Sequence, residues 1–278
     1  MSLSPETRAK IEAQIAELRK RLQIDSNDLD YETHLKQIRD LKRFLETTDA
    51  AAGSAGAGRK YIMKESTKAA VMLVIERYPV LRECEADLLA AVEAIIASYN
   101  KGRKLITCGN GGSAADAEHI VGELMKGFLL KRRLSPEFYA KMKEICPEEA
   151  DYFYENLQGT LPALSLMNQV ALNSAFANDQ APDLAMAQQI LGMGDEGDSL
   201  LAISTSGNSA NVLYAVQMAK VKGVTTIGLT GRSGGRLKNL TDICICVPDA
   251  ETYRIQELHL PIYHMLCIAV ENEFFGAE

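Results

Sequence analysis

The sequence has no excess of positive charge, no apolar run long enough to span a membrane, and none of the paired-cysteine or phosphate-loop signatures that would assign it at a glance. Its 30 Lys and Arg are outnumbered by 37 Asp and Glu, for a net charge of -7, which weighs against a nucleic-acid-binding surface. Without a membrane-length apolar stretch or a charged-then-apolar leading segment, the chain reads as cytoplasmic with no membrane partner. The 6 cysteines, at 84, 108, 146, 244, 246 and 267, form no C-x-x-C pair. A zinc ribbon is thereby excluded, and buried free thiols are expected instead. Neither G-x-G-x-x-G nor G-x-x-x-x-G-K-[ST] occurs at the glycine-rich turn, which lowers the expectation of a nucleotide.

What is present is an ordinary globular composition, 47% hydrophobic and 24% charged over 278 residues, enough for one large domain or one domain with an appendage. Residues 4–22 carry Ile11, Ile15, Leu18 and Leu22 at helical spacing, and 31–47 repeat the stripe with Leu35, Ile38, Leu41 and Leu45. Two such stripes predict an N-terminal helical hairpin or coiled-coil pair over 1–49, too small to hold much of a core alone. The small residues of 50–58, AAAGSAGAG with its flanks, read as a flexible linker. A domain is expected from 59 to 278.

That domain alternates strand-like and helical patterns. Helices are expected near 62–77 and 86–101, followed by strands at 103–107, 161–166, 199–204, 225–230 and 243–247. Helical patterns lie between the later strands, and a long amphipathic helix runs from near Thr252. The charged, aromatic-bearing stretch 129–158 is cut by Pro136 and Pro147 into two short helical pieces and reads as an insertion. Strands separated by helices call for an α/β fold, a three-layer αβα sandwich around a five-stranded parallel sheet. In such sheets ligands bind beyond the carboxyl ends of the strands.

Two motifs lie there. After the first strand, Gly109-Asn110-Gly111-Gly112-Ser113 leads into a helix, so free backbone N–H groups and the positive end of the helix dipole face whatever sits above the turn. The expected occupant is a phosphate. Along that helix, His119 and Glu123 are spaced i,i+4 and share a face. After the third strand, Ser204-Thr205-Ser206-Gly207-Asn208-Ser209 offers four hydroxyls at another helix N-terminus. Plain capping needs one, so the cluster points to phosphate held by neutral donors. The last helix carries Gln256 and His264 about two turns apart, and these could meet His119 and Glu123 if the helices cross. His, Glu, Gln and His are all competent ligands for zinc.

CGNGGSAADAEHIVGEL, ISTSGNSANV and RIQELHLPIYH together resemble sugar isomerase (SIS) domains, and among them the phosphoheptose isomerases. The resemblance covers roughly 60–278 apart from 129–158. It implies a homotetramer with sites between subunits and conversion of sedoheptulose 7-phosphate to D-glycero-D-manno-heptose 7-phosphate. It also implies that Asn110, Gly111, Gly112 and Ser113 line the substrate, that Ser204, Thr205, Ser206 and Ser209 hold its phosphate, and that Asn178 and Asp179 contact the sugar. His119, Glu123, Gln256 and His264 match the zinc ligands of metal-containing members, with Glu123 and His264 as the acid–base pair. Tyr253 stands where the heptose enzymes carry an aspartate. Two alternatives stay open: an isomerase of another ketose phosphate, and a non-catalytic relative that binds phosphosugar or associates with a replication initiator, although the latter lacks the equivalents of Glu123 and His264.

Overall fold

In the computed structural model the described residues are 5–22 and 62–276, with side chains of 5–7, 11 and 18–22 left aside. The second hairpin stripe at 31–47, the linker at 50–58 and His34 lie outside them. Contacts divide the chain into one unit of Met1–Ile62 and another of Met63–Glu278. In the first, α1 spans Pro5–Leu22, with Ile15 of the predicted stripe buried and Arg8 paired to Glu12 at 3.0 Å one turn on.

The second unit begins with α2 (Glu65–Arg77), a 3-10 turn at Pro79–Cys84 and α3 (Glu85–Asn100). In α3, Leu88, Ala91, Val92, Ile95, Ile96 and Tyr99 are buried at helical spacing, and Glu85 and Asp87 complement the dipole in its first turn. Next come β1 (Leu105–Cys108) and α4 (Gly112–Met125). The short helices α5 (Pro136–Ile145) and α6 (Ala150–Asn156) follow. Pro136 starts α5 at its first position, where no N–H is required, and Ser135 caps it by accepting from the Phe138 amide.

The chain continues through β2 (Ala163–Ser165), α7 (Val170–Asp179), a 3-10 turn at Pro182–Leu184 and α8 (Ala185–Met193). Then come β3 (Ser199–Ile203), α9 (Ala210–Val221) and β4 (Thr225–Thr230). It closes with α10 (Leu237–Leu240), β5 (Ile243–Cys246) and α11 (Thr252–Phe275). The 3-10 turns and four-residue α10 escape the sequence reading because each is too short to establish a period.

The five strands pair in parallel in the order β2-β1-β3-β4-β5. The expected α/β sandwich is what forms. Alternation within the strands builds its two cores: Leu105, Leu201 and Ile203 pack with α2, α3, α4 and α11, whereas Ile106, Leu200 and Ala202 pack with α8 and α9. Every residue of β1 and β3 is buried, as a central strand covered on both faces requires. At the β5 edge this cover thins. All six cysteines are free, but only Cys84, Cys108 and Cys267 are buried; Cys146, Cys244 and Cys246 are partly exposed, so the expectation of wholly buried thiols is corrected.

The sheet order reverses direction between β1 and β3, and the loops leaving those strands diverge over a crevice. Both sequence motifs occupy these loops.

Candidate active site

The glycine turn and the hydroxyl loop are joined directly. Asn110 and Asn211 exchange a reciprocal pair of amide hydrogen bonds, each 2.9 Å, across the switch point. Asn211 lies in the first turn of α9, just past the loop that drew attention in the sequence. Gly112 lies against the Gln256 side-chain amide, which a Cβ at that position would meet at 2.5 Å and push aside. That close approach brings the start of α11 against the start of α4.

In the hydroxyl loop, Ser204 Oγ lies 3.1 Å from Ser209 Oγ, and Ser206 Oγ accepts from the Asn208 amide at 3.2 Å. Gly207 adopts φ +65 and packs its Cα against the backbone of Gly234, leaving no room for a side chain. Ser204 is buried, Thr205 and Ser209 are partly exposed, and Ser206 is exposed. Ser209 caps α9 without using its hydroxyl on the helix; that group bonds Ser204 instead. Thr205, Ser206 and Asn208 also line a hollow of about 400 Å³ with Arg232, Ser233 and Asp249.

The acid–base candidates lie farther along α4 and α11. His119 Nε2 is 3.2 Å from Glu123 Oε1, and the rings of His119 and His264 meet edge to face with centroids 5.1 Å apart. Partial burial acts to raise the Glu123 pKa, but hydrogen bonds from Lys126, at 2.8 Å, and from His119 outweigh it and hold the carboxyl below its ordinary 4.5. His264 is held below 6.5, first by burial and then by repulsion from His119. At neutral pH the site thus carries an ionised carboxylate beside a neutral imidazole. His264 also borders a groove of about 420 Å³ walled by Leu73, Phe128, Leu129 and Leu260. His259, on the same helix, stays apart: burial pushes its pKa down to about 4.

These side chains suit zinc only in part. The donor types suit it, and His264 Nε2 is buried without a hydrogen-bond partner, as an unused ligand would be. Among the described residues, however, no three His, Cys, Asp or Glu side chains converge closely enough to hold an ion, and His119 and Glu123 are bonded to each other. Donor chemistry fits; a closed ligand set is not assembled.

Asn178 and Asp179 do not join the cluster. They end α7, a helix with no buried residue, and Asn178 donates to Asp179 at 2.9 Å. Sequence reading missed the most buried polar feature near the site. Arg132 donates to the Glu123 and Leu124 carbonyls at the end of α4, at 3.0 and 2.5 Å, and to Glu271 of α11 at 2.8 Å. Glu271 also accepts the amides of Phe128, Leu129 and Leu130. No local signal could have paired residues 139 positions apart.

Comparison with known proteins bears on this geometry. The SIS domain pattern matches residues 74–161 and 163–269, the two stretches that carry the site. The phosphoheptose isomerase of Rhodospirillum rubrum is 36% identical over 210 residues, 76% of this chain and 98% of its own length. The chain belongs to the phosphoheptose isomerase family. The family member from Thiobacillus denitrificans is 41% identical over 69% of this chain and 89% of its own. Among solved structures, the phosphoheptose isomerase from Francisella tularensis superposes with a TM-score of 0.59 at 30% identity, over 70% of this chain and 91% of that one. The enzyme from Neisseria gonorrhoeae gives 0.56 at 30% identity, over 71% and 94%.

Proposed function

We propose that this protein is an aldose–ketose isomerase that converts sedoheptulose 7-phosphate to D-glycero-D-manno-heptose 7-phosphate. The observation that carries the reading is the cluster in which His119 bonds Glu123 at 3.2 Å and meets the His264 ring edge to face at 5.1 Å, on the same helix that opens beneath the joined glycine and hydroxyl loops. Moving the carbonyl from C2 to C1 removes a proton from C1 and returns one at C2 through an enediol. Glu123 takes and returns the carbon-bound proton. His264, titrating below neutrality, moves a proton between the two oxygens. Ser204, Thr205, Ser206 and Ser209 hold the phosphate, remote from the reacting carbons, so its binding energy fixes the sugar in place. Asn110, Gly111, Gly112 and Ser113 line the sugar.

Zinc would be held by His119, Glu123, Gln256 and His264 and would supply Lewis-acid stabilisation of oxygen charge. The same reading makes the protein a cytoplasmic homotetramer. No helix among the described residues is long and apolar enough to cross a membrane. Leu73, Leu129 and Leu260 expose a shared apolar groove beside His264, a surface suited to another copy.

The test is turnover of a panel of ketose phosphates followed by NMR, with metal content measured on the same samples. Wild type should isomerise sedoheptulose 7-phosphate. Glu123→Gln, which keeps the size but removes the basic oxygen, should bind it and lose turnover by about 10²–10⁴-fold. Wild-type rates in that variant would sink the mechanism, and wild type inert toward every sugar phosphate would favour a binding or regulatory protein.

A further inference from the structure

The two thiols of β5 lie on one face of the strand, because residues two apart share a face. Cys246 Sγ donates to Cys244 Sγ at 3.8 Å, and both residues are partly exposed on the edge strand of the sheet. Glycines leave the space that the sulfurs fill. A Cβ on Gly228, the register partner of Cys244 on β4, would lie 3.1 Å from Cys244 Sγ. A Cβ on Gly234 would lie 3.1 Å from Cys246 Sγ. Cys84 comes near but spends its thiol on the Cys246 carbonyl, at 3.2 Å.

A direct bond between the paired sulfurs is disfavoured. Two residues along a strand sit about 6.6–6.8 Å apart, at the far limit of the Cα spacing that a disulfide accepts. A bridging ion needs no such approach. Sulfurs about 2.3 Å from a tetrahedral ion stand about 3.8 Å from each other, and that is the spacing observed. Thiolate ligands select soft metal ions. Burial, and next the neighbouring Cys246, push the Cys244 pKa upward, so its proton leaves only as an ion arrives. The Asp87 charge on α3 acts on Cys244 in the same direction and favours a cation there.

The turn beside Cys246 also supports the hydroxyl loop. The Gly231 amide donates to the Thr205 carbonyl, the Leu237 amide to the Gly207 carbonyl and the Arg236 amide to Asn208 Oδ1, each at 3.0 Å. Gly234, within that turn, lies against Cys246 on one side and Gly207 on the other. An ion on the thiols therefore presses on the turn that holds the loop in place.

We propose that Cys244 and Cys246 form a two-thiolate site for a soft metal ion, set behind the hydroxyl loop, and that loading it loosens that loop. Water or a free thiol completes the coordination, since the protein supplies two ligands. The ion site and its reach to the loop stand apart from the isomerase reading; only a consequence for phosphate binding rests on it.

Cadmium(II) is the probe, titrated into full-length protein and followed by the ultraviolet charge-transfer absorption of cadmium thiolates, which histidine and carboxylate ligands do not produce. Wild type should bind one ion per chain with this band. Cys244→Ser and Cys246→Ser should each weaken binding by more than the about 10–100-fold that loss of an outer-shell partner costs. Cys146→Ser, which changes the other partly exposed cysteine, should leave the band unchanged. Amide hydrogen exchange over 204–209 and 231–237 should speed up about tenfold on loading, the worth of roughly one net hydrogen bond. In Cys244→Ser the same cadmium should not change it. No band in wild type, or a band untouched by both serine variants, overturns the ion site. A band with exchange unchanged or slowed overturns the link to the loop. Neither measurement needs substrate, so a wild type that turned over no sugar phosphate would count against the isomerase reading and leave this test intact.

Discussion

At its N-terminal end, α4 begins with Gly112 and Ser113 beneath a pair of asparagines, with no acidic side chain in its first turn. At the other end the same helix meets Lys126, Arg132 and, through Arg132, the carboxylate of Glu271. The first end offers orphan backbone N–H groups and a positive dipole, an environment suited to a mobile anion that must enter and leave. The second end is closed permanently. Its carbonyls are taken up by a guanidinium, and both members of the Arg132–Glu271 pair have side chains 0% exposed. A substrate-binding end has to keep its hydrogen-bonding capacity unfilled, whereas a structural end has to fill all of it, since a buried unpaired charge is costly.

The largest expected effect comes from opening the closed end. Glu271→Ala would leave Arg132 buried without its partner and three backbone amides without an acceptor, so denaturant unfolding should show a loss of about 3–5 kcal/mol. A loss below about 1 kcal/mol would mean that water reaches Arg132 and that the contrast between the two ends is false.

A smaller effect is expected at the open end. Ser206→Asp places a carboxylate where the phosphate should sit, and calorimetry should show sedoheptulose 7-phosphate binding weakened at least about tenfold, with the melting temperature little changed. Undiminished binding would move the phosphate elsewhere.

The smallest concerns Lys126, whose side chain is 60% exposed. Its hydrogen bond lowers the Glu123 pKa, so Lys126→Met should let that pKa rise toward 4.5. The acid limb of kcat/KM set by Glu123 should then move to higher pH, by less than about one unit because solvent screens the pair. A shift to lower pH would reverse the assigned sign.

How much of this was legible beforehand follows from the range of each interaction. The hydroxyl loop, the glycine turn and the His119–Glu123 spacing are local: a strand end, a helix start and a 3.6-residue period suffice to place them. The order of elements likewise called for a parallel sheet with helices on both faces. The Asn110–Asn211 bridge was half visible, because each asparagine follows a strand motif, but their meeting depends on β1 and β3 being neighbours. Tyr263 stood beside a singled-out histidine, yet it reads as one more apolar residue of an amphipathic helix until α11 is laid against α4.

The sequence by itself determined which residue types could do chemistry here and where along the chain the strands would present them, because backbone periodicity and turn chemistry act over a few residues. Only the tertiary structure decided that β1 and β3 flank the switch point, that Tyr263 bonds His119, and that Arg132 finds Glu271 across 139 positions. Those pairings arise when burying apolar faces forces distant polar groups out of water together, and each buried group must then bond whatever partner the packing brings within reach.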